Sequence, residues 1–147
     1  MVTDFEIRAI TAADEADVLG LMREFYSSPA VFTDGSDEIF LTDINACLSD
    51  SPYIEGYVFT VENAVKGYAM LAKSFSTEFG KPCIWVEDLY VSSSFRNLGI
   101  GSAFFRMIEE KYPDSIFRLE VEEENEGAVK LYRKNDFTVL PYMEMKK

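Results

Sequence analysis

Between Glu87 and Phe105 the chain passes from a strand through a tight turn into a helix, and this transition constrains the fold most. Glu87-Asp88-Leu89-Tyr90-Val91 reads as a strand. Ser92-Ser93-Ser94-Phe95 turns, and Arg96-Asn97-Leu98-Gly99-Ile100-Gly101-Ser102-Ala103 opens a helix. Arg-x-x-Gly-x-Gly in that setting is an anion cradle. The first turn of a helix has backbone N–H groups without intrahelical partners and a partial positive charge. Glycines let a phosphate approach that backbone, and Arg96 adds a charged, forked donor. An ordinary strand-to-helix turn with two glycines would show the same letters.

Two known phosphate motifs fit poorly. A Walker loop needs Gly-Lys-Ser/Thr, and Gly101 is followed by Ser102-Ala103. A dinucleotide fingerprint starting at Gly99 needs a small residue where Phe104 stands.

A second segment narrows the reading. Asn125 to Phe137 predicts a short helix with Asn125 as N-cap, and Ala128, Leu131 and Tyr132 share one face at i, i+3 and i+4. With Arg-x-x-Gly-x-Gly at 96–101 and Asn-x-x-Ala-x-x-Leu-Tyr at 125–132, the chain resembles the GCN5-related N-acetyltransferase (GNAT) family. The resemblance runs from about Val65 to Phe137; before Val65 it is only architectural.

The resemblance implies a fold, a co-substrate and a site. Acetyl-coenzyme A is expected between two splayed parallel strands, Cys83–Val91 and Ile116–Val121. The cradle Arg96, Asn97, Leu98, Gly99, Ile100, Gly101 and Ser102 is expected to hold its pyrophosphate. Asn125 and Ala128 open the helix beside it. Main-chain groups of Leu89, Tyr90 and Val91 are expected to pair with the pantetheine arm like an added strand. A free alkylamine has a pKa near 10.4 and must lose a proton before it attacks. Glu87, two residues before the thioester contact at Leu89, is the expected proton acceptor. Asp88 points to the opposite strand face and cannot share that role without a bulge. Tyr132 is the expected proton donor to the leaving thiolate. No metal is expected in the site.

Within the family, Glu87-Asp88 looks most like the pair in polyamine and diamine acetyltransferases. The acceptor is then expected to be a small cationic amine. It would be selected by the segment from Phe25 to Ile39, which offers Tyr26, Phe32, Asp34, Asp37 and Glu38. A protein N-terminal or lysine acetyltransferase, and a non-catalytic acyl-coenzyme A-binding regulatory module, are the alternatives. A homodimer is an expectation at family level. Three positions depart from the pattern: Ser93 stands where proline is common, and Asn97 and Asp136 stand where glycine is. Asn135 or Asp136 must then take a left-handed helix exit, which both tolerate.

Composition sets the remaining bounds. The 147 residues make one domain, and 48% hydrophobic and 14% aromatic content argues for a packed core. The net charge of −12 argues against nucleic acid as a partner and is compatible with a cationic substrate. The chain has no histidine, which excludes a histidine-activated nucleophile. Cys47 and Cys83 fit no metal spacing and read as free thiols of a cytoplasmic protein. No apolar run reaches membrane-spanning length, and Met1-Val2-Thr3-Asp4-Phe5-Glu6 does not read as a signal peptide.

The remaining pattern predicts an α/β (α+β) fold in the order βααβββαβαβ, a mixed, mostly antiparallel sheet flanked by helices. Phe5–Ile10 alternates. Thr11 precedes a helix whose apolar face is Val18, Leu21, Met22 and Phe25. Ser36 caps a second helix with Ile39, Phe40, Ile44 and Leu48 on its apolar face. Ile54–Val61 and Val65–Phe75 form a hairpin, Glu122-Glu123-Glu124 is a solvated loop, and Phe137–Met145 is expected as a last strand.

Overall fold

The computed structural model describes residues 4–147; the N-terminal reading over residues 1–3 lies outside the described residues. The alternating segment becomes β1 (Phe5–Ala9). A single 3-10 turn, Ala12–Asp14, leads into α1 (Glu15–Tyr26). Asp14 joins these pieces: it accepts from the Thr11 N–H at 2.8 Å and takes both ends of the Arg8 guanidinium at 2.8 and 2.9 Å. The fork-to-carboxylate geometry fixes the angle between strand and helix. α2 (Asp37–Leu48) starts at Ser36, whose hydroxyl accepts from the Ile39 N–H.

β2 (Ile54–Val61) and β3 (Ala64–Ser76) form the expected hairpin. Its two turn residues, Glu62 and Asn63, both have positive φ, which matches the twist of a two-residue hairpin. β4 (Lys81–Val91) follows, then α3 (Ile100–Lys111), β5 (Ile116–Leu119) and α4 (Glu126–Lys134). The sheet order is β1-β2-β3-β4-β5, antiparallel throughout except for the parallel pair β4–β5.

Two apolar layers sandwich the sheet. On one face α3 and α4 cover Tyr57, Phe59, Leu71, Ile84 and Val86 with Phe104, Phe105 and Ile108. On the other, α1 and α2 cover Val58, Tyr68 and Met70 with Val18, Met22, Phe40 and Ile44. Ile39, expected on the apolar face of α2, is exposed instead, because Phe40 and Ile44 already fill the gap to the sheet.

Two further expectations are corrected. β5 stops at Leu119 rather than Val121, for a reason given below. Phe137–Met145 forms no strand among the described residues. Phe137 packs against Phe105 and Tyr132, but Pro141 has no N–H to give to a ladder, and Val139, Met143 and Met145 face solvent. No helix is long and apolar enough to cross a membrane.

Candidate active site

The site begins where β4 parts from β5. The parallel ladder pairs Cys83 with Ile116 and ends at Val86 with Leu119. β4 continues to Val91 on its β3 side, so its other edge is open from Glu87 onward. A bulge marks the point of parting. Met70 pairs with Asp88 and Leu71 with Val86, leaving Glu87 as an extra residue in β4. A bulge bends its strand and increases the twist. That bend turns β4 away from β5 and accounts for the short β5.

The bulge also revises the two acids. In a regular strand Asp88 would share the face of Val86, inside the α3/α4 layer. Past the extra residue it turns to the α1/α2 layer instead, beside Met70 and Tyr68. Asp88 is 5% exposed and accepts from the Tyr68 hydroxyl at 2.6 Å and the Tyr26 hydroxyl at 3.1 Å. Burial raises its carboxyl, and the two phenols oppose that rise. Glu87 opens to solvent. Desolvation raises its carboxyl first, then repulsion from Asp88, Glu144 and Asp43. The charge of Asp43 on α2 is among the causes that raise Glu87 and Tyr26.

Beyond the end of β5, the neighbouring Glu144 carboxyl of the C-terminal segment, ahead of desolvation and the Glu87 charge, raises the Glu120 carboxyl to about 7. None of Asp43, Glu87, Asp88, Glu120 and Glu144 is in an ion pair with lysine or arginine among the described residues. The acids expected to meet the acceptor fare differently. Asp37 is bound by Arg23 at 2.6 Å, and Phe32, Asp34 and Glu38 face open solvent. Of the five residues expected there, Tyr26 is the one that meets the bulge, through its hydroxyl on Asp88.

The open edge and the cradle lie together. Ser92 N–H donates to Lys66 O, so Ser92 and Tyr90 turn their main chain to β3, whereas Leu89 and Val91 turn theirs to the open edge. Tyr90 therefore offers no free main-chain pair, and its ring stacks on Phe25. The Val91 carbonyl is taken by Arg96 Nε at 2.8 Å, and the guanidinium lies over the Tyr90 ring. Arg96 thus braces the loop against the end of β4. Asn97 adopts φ +64° and Gly99 φ +86°. Asn97 is one of the few side chains that tolerate this, which explains glycine as the common alternative. Gly99 caps α3 without a side chain, so no side-chain cap bond is made at the helix start, and a Cβ at Gly99 would meet open space.

Gly101 is different. A Cβ there would come within 2.7 Å of Leu131 Cδ2, so this glycine admits α4 rather than a phosphate. Ser102 is buried, and its hydroxyl accepts from Asn135 Nδ2 at 3.1 Å, a second tie between α3 and α4. Its backbone N–H alone is left for the cradle. Gly101→Val is therefore expected to strain the α3–α4 contact and cost about 1–3 kcal/mol. Thermal melts with and without coenzyme A check this. An unchanged melting temperature contradicts that packing.

α4 brings the phenol. Asn125 Oδ1 accepts from the Ala128 N–H at 3.3 Å, as its N-cap role requires. Tyr132 packs edge-on against Phe105 and Phe137, and its hydroxyl has no hydrogen-bond partner among the described residues. Burial alone pushes that phenol up to about 12. The left-handed exit falls on Asp136, φ +69°. A separate cavity of about 260 Å³ lies two strands away at the start of β2, beside Cys47, Glu55, Lys73 and Lys111, and includes none of the expected site residues.

The acetyltransferase (GNAT) family model matches residues 18–137 of this sequence. The chain belongs to that family. The match covers the bulged β4, the cradle and α4, so this acetyltransferase carries its site within the matched span. Its fold recurs in solved structures. A possible acetyltransferase from Clostridium difficile 630 is 21% identical, with 97% of this chain and 96% of that one covered and a TM-score of 0.79. AAC(6')-Iy in complex with the bisubstrate analog CoA-S-monomethyl-acetylneamine is 14% identical, with 99% and 98% covered and a TM-score of 0.79. Ribosomal-protein-alanine N-acetyltransferase from Brucella melitensis biovar Abortus 2308 is 16% identical, with 97% and 98% covered and a TM-score of 0.77.

Proposed function

We propose that this acetyltransferase moves the acetyl group of acetyl-coenzyme A to a primary amine by direct attack, with both substrates bound. The observation that carries this is the parting of β4 from β5 at Val86, beside the extra residue Glu87. It leaves the Leu89 main-chain groups and the Val91 N–H on an open edge, which an amide-bearing pantetheine arm completes as a strand would. A neighbour in complex with a CoA-based bisubstrate analog supports the same co-substrate. Asn97 to Ser102 receive the pyrophosphate at the uncapped start of α3.

In the reaction the amine nitrogen forms the C–N bond and the C–S bond breaks. The amine proton goes to Glu87, directly or through water, and the leaving thiolate takes a proton from Tyr132. A carboxyl raised above its ordinary value is a stronger base and better matched to an ammonium group. The burial that raises the Tyr132 phenol also penalises a thiolate beside it, so the shift alone does not oppose the transfer.

A small cationic amine or polyamine is the acceptor class best supported. Four carboxyl groups, Asp43, Glu87, Glu120 and Glu144, have no lysine or arginine partner among the described residues, in a chain of net charge −12. Steady-state kinetics with mono-, di- and polyamines, anionic amino acids and peptides tests this. The kcat/KM of the cationic acceptors is expected to be highest and to fall as salt is added, because screening weakens steering. Anionic amines ranking first, or a salt-independent kcat/KM, contradicts the cationic acceptor. A peptide ranking first points to a protein acetylase.

A further inference from the structure

We propose that Asp88 is a positioning residue: clamped by Tyr26 of α1 and Tyr68 of β3, it holds β4 in the bulged register that presents Glu87 to the acceptor. This rests on Glu87 being the proton acceptor.

The argument starts from the cost of the alternative register. Without the extra residue, Asp88 would follow Ile84 and Val86 into the layer of Phe104, Phe105 and Ile108, on the face away from the Tyr26 and Tyr68 hydroxyls that it accepts from. A buried carboxylate without hydrogen bonds is strongly disfavoured. With the extra residue, Asp88 faces two phenols, each of which donates to a different oxygen. One carboxyl group therefore selects the bulge over the straight strand, as any shift by one residue exchanges the two faces. The clamp reaches further than β4. Tyr26 is the last residue of α1, where the segment toward α2 begins, so the same carboxyl ties the acceptor side to the strand that carries Glu87.

The groups facing Glu87 are Asp88 on β4, Asp43 on α2 and Glu144 of the C-terminal segment, with Glu120 beyond β5. Those facing Asp88 are Tyr68, Tyr26 and Asp43. All that bear charge near neutrality are acids. Asp88 supports the ionised base poorly, and repulsion from Asp88 is the second cause that raises Glu87. Removing that charge lowers the Glu87 carboxyl, so the acidic limb of kcat/KM moves to lower pH.

Asp88→Asn keeps the size and loses the charge. It is expected to lower kcat roughly tenfold or more through a displaced base, leave the affinity for acetyl-coenzyme A nearly unchanged, and shift the acidic limb to lower pH. Tyr68→Phe removes one donor with little change in packing and is expected to act in the same direction, more weakly; it serves if Asp88→Asn does not fold. Loss of kcat with the limb fixed overturns the proposal, since a merely structural residue does that. Wild-type kcat with the limb fixed overturns it too. Glu87→Gln separates the two levels. If it abolishes the limb while Asp88→Asn leaves the limb in place, only the role of Asp88 is lost. If Glu87→Gln keeps the limb, the assignment of Glu87 fails and this inference with it.

Discussion

Tyr132→Phe is expected to lower kcat by roughly a hundredfold while acetyl-coenzyme A binds almost as before. The Tyr132 hydroxyl has no hydrogen-bond partner to lose among the described residues, and its ring is held by Phe105 and Phe137, contacts that phenylalanine preserves. The substitution removes a proton donor and little else. Calorimetric titration with acetyl-coenzyme A and steady-state rates with the best amine read the two effects separately. A wild-type kcat makes the phenol structural, and solvent then protonates the thiolate.

Glu87→Gln attacks the other proton. At neutral pH kcat/KM is expected to fall about a hundredfold or more, since a positioned base contributes on that order. The pH profile is the sharper readout. In the native protein the acidic limb is expected to report the Glu87 carboxyl, raised by desolvation and by Asp88, Glu144 and Asp43. A raised carboxyl stays protonated to higher pH, so activity appears only above that value. With glutamine the limb is expected to vanish, and the rate to climb with pH toward the amine's own pKa near 10. A profile unchanged in shape contradicts the role of Glu87.

Much of this was legible before any coordinates. The strand–turn–helix at 87–105, the Asn125 cap and the left-handed Asp136 follow from local chemistry, where a few neighbouring residues decide the backbone. What sequence did not reveal depends on distant neighbours. The bulge at Glu87 has no glycine or proline to announce it; its cause is a carboxyl that finds Tyr26 and Tyr68, remote in sequence. Gly101 carries the letters of a phosphate motif, yet its missing Cβ is answered by Leu131 from another helix. Asp37 looked like an acceptor contact until Arg23 claimed it. The last strand failed because an alternating apolar pattern over 137–145 needs a partner edge, and Pro141 interrupts the donors.

These misses share a physical pattern. Local propensity decides caps, turns and left-handed residues, whereas register and side-chain partnership are settled by which tertiary contacts form. The acidic mouth is the clearest case. Asp43, Glu87, Glu120 and Glu144 come from α2, β4, the end of β5 and the C-terminal segment. Only the fold brings their charges within reach of one another.

The central claim is amine acetylation at the open edge of β4. The most direct measurement is thiol release from acetyl-coenzyme A in the presence of a panel of cationic amines, with the product identified by mass spectrometry. The account predicts thiol release that requires the amine, an N-acetylated product in matching amount, and no acetyl group left on the protein. Tight binding of acetyl-coenzyme A with no release in the presence of any amine or peptide contradicts it, and leaves a binding module in place of an enzyme.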